Sequence, residues 1–146
     1  MFVDADSCPV KEEIVETAEC CNVNIVFVAS YNHVKSGASD QNWVYVDTSK
    51  EAADLYIMNH CSKGDIVVTQ DIGLASTLLP RAVYALSPRG TSYDEKEIVA
   101  ALEVRYLKAK ARKRGIYGKG PKPFREEDRQ KFKKELTKIL SKFAGL

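Results

Sequence analysis

Three short runs of the sequence are apolar and β-branched at nearly every position, and this pattern constrains the fold more than any other feature. The runs are Asn24–Ser30, Trp43–Asp47 and Asp65–Asp71. A strand with one face in water alternates apolar and polar residues, whereas a strand buried on both faces is apolar throughout. The pattern therefore predicts a parallel sheet covered by helices on both sides. Phe2–Asp6 and Ala82–Ser87 are interpreted as two further strands of that sheet.

Helical signals fill the gaps between these strands. Pro9 suits the first position of a helix that runs to about Cys21. Capping boxes, in which serine or threonine is followed three residues later by glutamate, predict helices that begin at Thr48 and Ser92. The helices predicted after the first are 48–62, 73–79, 92–114 and 125–143. Strand–helix alternation with right-handed crossovers predicts a three-layer α/β/α sandwich of Rossmann-like type with a mostly parallel sheet.

A glycine- and proline-rich segment, Gly115–Phe124, separates the α/β body from a basic C-terminal helical extension. We interpret 1–114 as the α/β domain and 115–146 as a basic loop and helix packed on the same domain. Residues 1–104 hold 7 lysines and arginines against 16 aspartates and glutamates, and residues 105–146 hold 15 against 4. An acidic body joined to a basic extension predicts an anionic partner held near a negatively charged site.

The composition is that of an ordinary globular protein, with 45% apolar and 29% charged residues in 146. No apolar run approaches the length of a membrane span, and no signal segment precedes the first strand. The 4 cysteines have no CxxC spacing. We therefore expect free thiols in the cytoplasm and no membrane partner.

Aspartates follow the predicted strands at the edge of the sheet that the strands' carboxyl ends share. Asp4 and Asp6 stand at or just beyond the end of the first strand, and Asp71 ends the fourth. Asp54 lies in the second turn of a predicted helix, whose side chains lean back toward this edge. Ligands of open parallel sheets bind here, and clustered carboxylates need a counter-charge, so we expect Mg²⁺ or Mn²⁺ at these four aspartates. The alternative is that each is a cap or turn residue, with Asp6 capping the first helix.

Other polar residues at the same edge are candidate contacts to a phosphate or a water. Ser7 follows the first strand, Thr69 and Gln70 end the fourth, and Arg89 follows the fifth. Gly90, next to Arg89, would allow a close backbone approach. The alternative is that all of them serve caps and turns.

Residues 105–125 form a basic stretch that contains no acidic residue. Nine of its residues are lysine or arginine, interleaved with Tyr106, Tyr117 and Phe124. Basic side chains engage a nucleic-acid backbone and aromatic rings stack on unpaired bases, so the stretch predicts RNA as a partner. The alternative is a solvated face. The predicted contacts are Lys110, Arg112, Lys113, Arg114, Lys119 and Lys122.

Several motifs together resemble one protein family. They are VDADSCPVK, EAADLYI and GDIVVTQDIGLAS, followed by PRG, GPKPF and DRQKF. On these motifs the chain resembles, over nearly its whole length, the bacterial YaiI/YqxD family, which is grouped with the PIN-like domains that include many metal-dependent ribonucleases. The resemblance implies a PIN-like fold, with Asp4, Asp54 and Asp71 as catalytic metal ligands and Asp6 as an auxiliary ligand. PIN-like nucleases usually carry a fourth acid just beyond the third, but IGL follows Asp71. Three alternatives follow: Asp6 stands in for it, the site holds one ion only, or the site binds without cleaving.

Three functions stay open at this point. The first is a Mg²⁺- or Mn²⁺-dependent endoribonuclease or related phosphodiesterase acting on RNA. The second is a non-catalytic RNA-binding protein on a degenerate PIN-like scaffold. The third is a haloacid-dehalogenase-like phosphatase, in which DAD would supply Asp4 as nucleophile and Asp6 as acid/base. A homodimer is also left open.

Overall fold

A computed structural model describes residues 1–6, 8–31, 42–49, 51–120 and 122–143. Its five strands form one parallel sheet in the order β3-β2-β1-β4-β5. The strands are β1 (Phe2–Asp4), β2 (Val26–Ser30), β3 (Trp43–Val46), β4 (Ile66–Val68) and β5 (Tyr84–Leu86). The helices are α1 (Lys11–Cys21), α2 (Ala52–His60), α3 (Ile72–Leu78), a 3₁₀ turn (Leu79–Arg81), α4 (Glu95–Lys113) and α5 (Glu126–Phe143).

Helices cover both faces of the sheet, which confirms the predicted α/β/α sandwich. On one face Val3 and Phe27 pack in a core with residues of α1 and α5. On the other face Val28 and Val67 pack with residues of α2 and α3, and α4 packs beside α3. Neighbouring residues of one strand are thus buried on opposite faces, which explains why the strands read as continuous apolar runs.

The strand order creates a switch point between β1 and β4. The chain runs outward from β1 through β2 to β3, and then returns to the other side of β1 to form β4 and β5. At such a point the connections from adjacent strands leave in opposite directions, and a crevice opens at the carboxyl ends. Asp4 ends β1 and Asp71 follows β4, so both lie at this crevice.

The C-terminal helix α5 packs against the α/β body through a contact that requires glycine. Phe132 and Leu136 of α5 are fully buried in the core beside α1. Gly90 has a φ of +85°, and a Cβ there would lie 2.7 Å from backbone atoms of Lys131 and Phe132. The close approach that the sequence predicted at Gly90 is therefore an approach of α5.

Both predicted capping boxes are wrong. α2 begins at Ala52 rather than Thr48, and no side chain caps it. α4 begins at Glu95, where the Asp94 carboxylate accepts a hydrogen bond from the Lys96 N–H. Ser92 instead bridges to β5 and donates to the Glu135 carboxylate at 3.1 Å, so its backbone is extended.

The remaining boundaries differ by a few residues. α1 begins at Lys11, so Pro9 precedes the helix rather than opening it. α3 begins at Ile72, one residue before the prediction, and the strands are shorter than predicted at one or both ends. Within the described residues no helix has the length and apolar character needed to cross a bilayer.

Candidate functional site

Thr69 links the ends of the two central strands. Its side chain is fully buried, and its hydroxyl donates to Asp4 Oδ2 at 3.1 Å. The same hydroxyl accepts from the backbone N–H of Asp71 at 3.0 Å. Thr69 was predicted to orient a water or a phosphate. That role stays a prediction, and in the structure its contacts hold Asp4 and the start of the Asp71 turn in fixed positions.

Asp71 opens α3 as its N-terminal cap. Its Oδ1 accepts hydrogen bonds from the N–H groups of Gly73 at 2.8 Å and Leu74 at 3.3 Å. The same oxygen lies 3.6 Å from Nη1 of Arg105 on α4. The backbone N–H groups at a helix start favour negative charge, so this position suits an ionised carboxylate.

Asp54 reaches the same place from α2 and forms a side-chain hydrogen bond with Asp71. Partial burial, followed by the negative charges of Asp71 and Asp4, raises the pKa of Asp54 from 3.8 to about 7. The hydrogen bond with Asp71 and the charge of Glu51 act in the same direction. At neutral pH Asp54 is therefore partly protonated and shares its proton with a neighbouring carboxylate.

Asp4 and Asp6 extend the cluster along the end of β1. Burial raises the pKa of Asp4, and the charges of Asp6 and Asp71 add to the effect while the Thr69 hydrogen bond opposes it. Asp6 Oδ1 accepts from the Ser30 N–H at 2.9 Å, which joins the end of β1 to the end of β2. The alternative in which Asp6 caps the first helix is thus not what the structure shows, because α1 begins at Lys11.

The structure therefore brings together carboxylates from three separate segments of the chain. Within the described residues, no group of three or more His, Cys, Asp or Glu side chains is arranged so that it could hold an ion as placed. The donor set nevertheless fits a hard divalent cation, since it consists of carboxylate oxygens that raise one another's pKa. Ion binding there would require the carboxylate side chains to turn toward a common point.

A basic cleft runs from Asp71 along α4. A first section of about 700 Å³ is lined by polar and charged side chains and by three apolar ones. They are Gln70, Asp71, Arg105, Lys108 and Arg112, with Ile72, Ala101 and Val104. A second section of about 550 Å³ shares Lys108 and Arg112 and continues along 116–120. Arg105, Lys108 and Arg112 follow the spacing of one helical face, so their charges line a single path that leads to the carboxylates.

Of the predicted contacts of the basic stretch and the β4 end, some line the cleft and others do not. Arg112, Lys119 and Gln70 line the cleft. The other four predicted basic residues are not among its lining residues: Lys110, Lys113, Arg114 and Lys122. Arg105 and Lys108, which the sequence analysis did not single out, do line it. Helical periodicity counted from Arg112 could have found both.

Arg89 is held by partners within the fold. Its guanidinium donates to Asp128 Oδ2 at 3.2 Å and to the backbone carbonyl of Lys122, and it lies over the ring of Phe124 at 5.6 Å. These contacts attach the basic loop to the α/β body. Ser7 lies outside the described residues.

Tyr93 is a further residue of the site that the sequence analysis missed. Its hydroxyl donates to the backbone carbonyl of Thr69 at 3.0 Å. Burial and the charge of Asp71 raise its pKa to about 12, so it remains a neutral donor. It therefore fixes the end of β4 from the side of β5.

Fold and site together define a parallel α/β protein with a carboxylate cluster at the switch point of its sheet and a basic cleft beside it. The chain belongs to the YaiI/YqxD family, since the family model described as "Uncharacterized BCR, YaiI/YqxD family" matches residues 2–142.

Similar proteins match along nearly the full length of the chain. A UPF0178 protein of Bacillus velezensis is 55% identical over 147 residues, covering 100% of this chain and 88% of the relative. One from Bacillus pumilus is 51% identical over 146 residues, covering 99% and 88%. One from Listeria welshimeri is 49% identical over 140 residues, covering 96% and 94%. No solved structure matches the chain.

Proposed function

We propose that this protein is a divalent-metal-dependent ribonuclease, or a related phosphodiesterase, of PIN-like type that acts on RNA in the cytoplasm. The observation that carries the proposal is the convergence of Asp4, Asp54 and Asp71 at one edge of the sheet, where burial and then the charges of Asp71 and Asp4 raise the pKa of Asp54 to about 7. Such a cluster is costly to keep in a fold without a function, and strongly shifted carboxylates concentrate at catalytic sites.

The residues that would hold Mg²⁺ or Mn²⁺ are Asp4, Asp54 and Asp71, with Asp6 assisting. When bound, the cation supplies Lewis-acid activation of water and offsets charge on the phosphoryl group. Thr69 positions Asp4 through its 3.1 Å hydrogen bond.

The basic cleft supports RNA as the substrate. Arg105, Lys108 and Arg112 lie along one face of α4 and would bind consecutive phosphates that lead toward Asp71. Tyr117 lines the far section and is 75% exposed, so its ring is available to stack on an unpaired base. A single-stranded RNA exposes its phosphates and its bases at the same time, whereas a duplex keeps its bases paired and stacked inside.

The test is cleavage of end-labelled single-stranded RNA by the full chain with Mn²⁺ or Mg²⁺, compared with chelator. We expect metal-dependent cleavage that falls by more than about 100-fold in Asp71→Asn, since even outer-shell ligand partners contribute about 10–100-fold. The asparagine can still cap α3, so the fold is kept. Asp65→Asn is the matched control, because Asp65 precedes β4 at the opposite edge of the sheet. Absence of cleavage with both metals, or equal cleavage by Asp71→Asn, refutes the proposal.

A non-catalytic RNA-binding protein is the second candidate. It is favoured by the arrangement of the acids, because Asp71 Oδ1 already caps α3 and the described carboxylates are not placed to hold an ion. This candidate predicts salt-sensitive retention of the same RNA with no cleavage in any metal. Measuring both cleavage and retention of the same RNA therefore distinguishes the two functions.

A further inference from the structure

Exposed apolar side chains concentrate on α4 and the loop after it. Among the described residues, six of the nine exposed large hydrophobic side chains lie between 99 and 117. They are Val99, Val104, Tyr106, Leu107, Ile116 and Tyr117. Concentrated exposure of this kind marks an interaction surface, whereas single exposed apolar residues are ordinary.

One face of α4 carries an apolar stripe directed away from the protein body. The body-facing side is marked by Ile98, which is buried against α3 and β5. Ala100, Val104, Leu107 and Ala111 follow a spacing of four, three and four residues, which places them on one face. At about 100° per residue this face lies roughly opposite Ile98.

The loop lengthens this stripe. The N–H of Ile116 donates to the carbonyl of Ala111 at 3.0 Å, so the chain turns back at the end of α4. Ile116 is exposed there, next to the last residue of the stripe. Aliphatic side chains neither pair with phosphate nor stack on bases, so the stripe calls for a protein partner rather than RNA.

The charges of α4 identify that partner. Glu95 and Glu97 lie in its first turn, and Lys110, Arg112 and Lys113 lie in its last. A second α4 in antiparallel orientation brings acidic and basic ends together, and it also opposes the two helix dipoles. The helix is thus complementary to itself.

Glu103 and Lys110 give this pairing a specific contact. They are seven residues apart, or about two turns, so they lie on the same flank of the stripe. In a two-fold antiparallel pair, each Glu103 lies beside the Lys110 of the second copy. We propose that the protein forms a homodimer in which α4 pairs antiparallel with α4 of a second copy along Ala100, Val104, Leu107 and Ala111.

The stripe borders the basic cleft, because Val104 and Ala111 also line that cleft. The molar mass is measured without RNA, so its outcome does not depend on the proposed function. The measurement is the molar mass of the full chain by sedimentation or light scattering across roughly 1–100 µM. The expected mass is twice the chain mass of 16.3 kDa. A mass of one chain throughout this range overturns the proposal and leaves the stripe to a different protein.

Leu107→Glu tests the stripe, and Leu55→Glu is its matched control. Both leucines are on helices, with exposures of 54% and 50%, but Leu55 lies on α2. We expect Leu107→Glu to reduce the mass to that of one chain with an unchanged circular dichroism spectrum, and Leu55→Glu to leave it at two. A dimer that persists in Leu107→Glu overturns the proposal.

A charge exchange tests the orientation and does not depend on Leu107→Glu remaining folded. Glu103→Lys alone and Lys110→Glu alone each place like charges together and are expected to weaken the dimer. The double variant restores opposite charges and is expected to recover it. A double variant that is weaker than both single variants excludes the antiparallel pairing.

Discussion

Replacing Asp54 with asparagine removes the carboxyl group whose pKa is raised to about 7 by burial and then by the charges of Asp71 and Asp4. Asparagine has nearly the same shape, and its amide can donate to Asp71 without a titrating proton. The difference between 3.8 and about 7 sets an upper limit of about 4 kcal/mol on the unfavourable free energy of ionising Asp54 in the fold. Asp54 is only partly buried, so solvent screening reduces this, and we expect about 1–2 kcal/mol.

The sign follows from proton linkage. An acid whose pKa is higher in the folded protein takes up a proton on folding at pH values between the two pKa values. The wild-type protein is therefore most stable, with respect to this group, below the unfolded pKa of about 3.9. That contribution is lost progressively as the pH rises to about 7. Asp54→Asn should match the wild-type protein near pH 4 and exceed it at pH 8.

The assay is thermal unfolding in chelator, followed by circular dichroism from pH 4 to pH 8. An advantage of 1–2 kcal/mol corresponds to a Tm that is higher by roughly 3–8 °C at pH 8 in a chain of this length. Asp65→Asn, at the opposite edge of the sheet, should follow the wild-type profile. Added Mn²⁺ should raise the Tm of the wild-type protein more than that of Asp54→Asn. Parallel pH profiles for wild type and Asp54→Asn would show that the carboxylates do not interact as described.

Two further predictions concern α5 and the cleft. Gly90→Ala should destabilise the protein by about 3 kcal/mol in urea unfolding, because its Cβ would overlap the α5 backbone and its φ is positive. Gly64→Ala shares the positive φ but has no atom within 4 Å, so it should cost only about 1 kcal/mol, and equal losses would contradict the overlap. Arg105→Ala should weaken RNA binding and reduce its salt slope by about 1, since the cleft loses one phosphate contact. Lys113 is not among the lining residues, so Lys113→Ala should change the RNA affinity and the salt slope less than Arg105→Ala does. A larger effect of Lys113→Ala would show that RNA binds outside the cleft.

The layered fold could be predicted from sequence because a strand that is buried on both faces is apolar at nearly every position, and this pattern is visible in each short run of the sequence. The same topology argument placed Asp4 and Asp71 at one edge before any side-chain position was known, because parallel strands end together. The proton shared by Asp54 and Asp71 could not be predicted in this way. It depends on where α2 begins, because the helix starts at Ala52 and Asp54 therefore lies in its first turn rather than in the predicted second turn. It also depends on how α2 packs against the sheet through Ile57.

What the sequence analysis missed depends on contacts between distant parts of the chain. Ser92 did not cap α4 because β5 holds its backbone in an antiparallel bridge, which leaves Asp94 as the cap. Arg89 remains a predicted phosphate contact, and sequence alone could not show that it bonds to Asp128, 39 residues away. Which basic residues face the cleft depends on the rotation of α4 about its axis, and the packing of α4 on α3 and β5, with Ile98 buried, sets that rotation. A local sequence pattern does not show which distant residues a side chain will contact.

The acidic body and the basic extension form several ion pairs, and the one at the site joins Arg105 to Asp71. This pair explains why the site needs more than its own residues. Arg105 lies 3.6 Å from Asp71 Oδ1, yet the pKa of Asp54 remains near 7. The Arg105 guanidinium is more than half exposed, so its charge is screened by solvent and is too weak to neutralise three carboxylates. The field along α4 attracts a polyanion, while the field at the cluster repels it. An RNA strand drawn along the basic cleft can reach Asp71 only if a further positive charge enters between them, so cation binding and RNA binding at this edge are expected to strengthen each other.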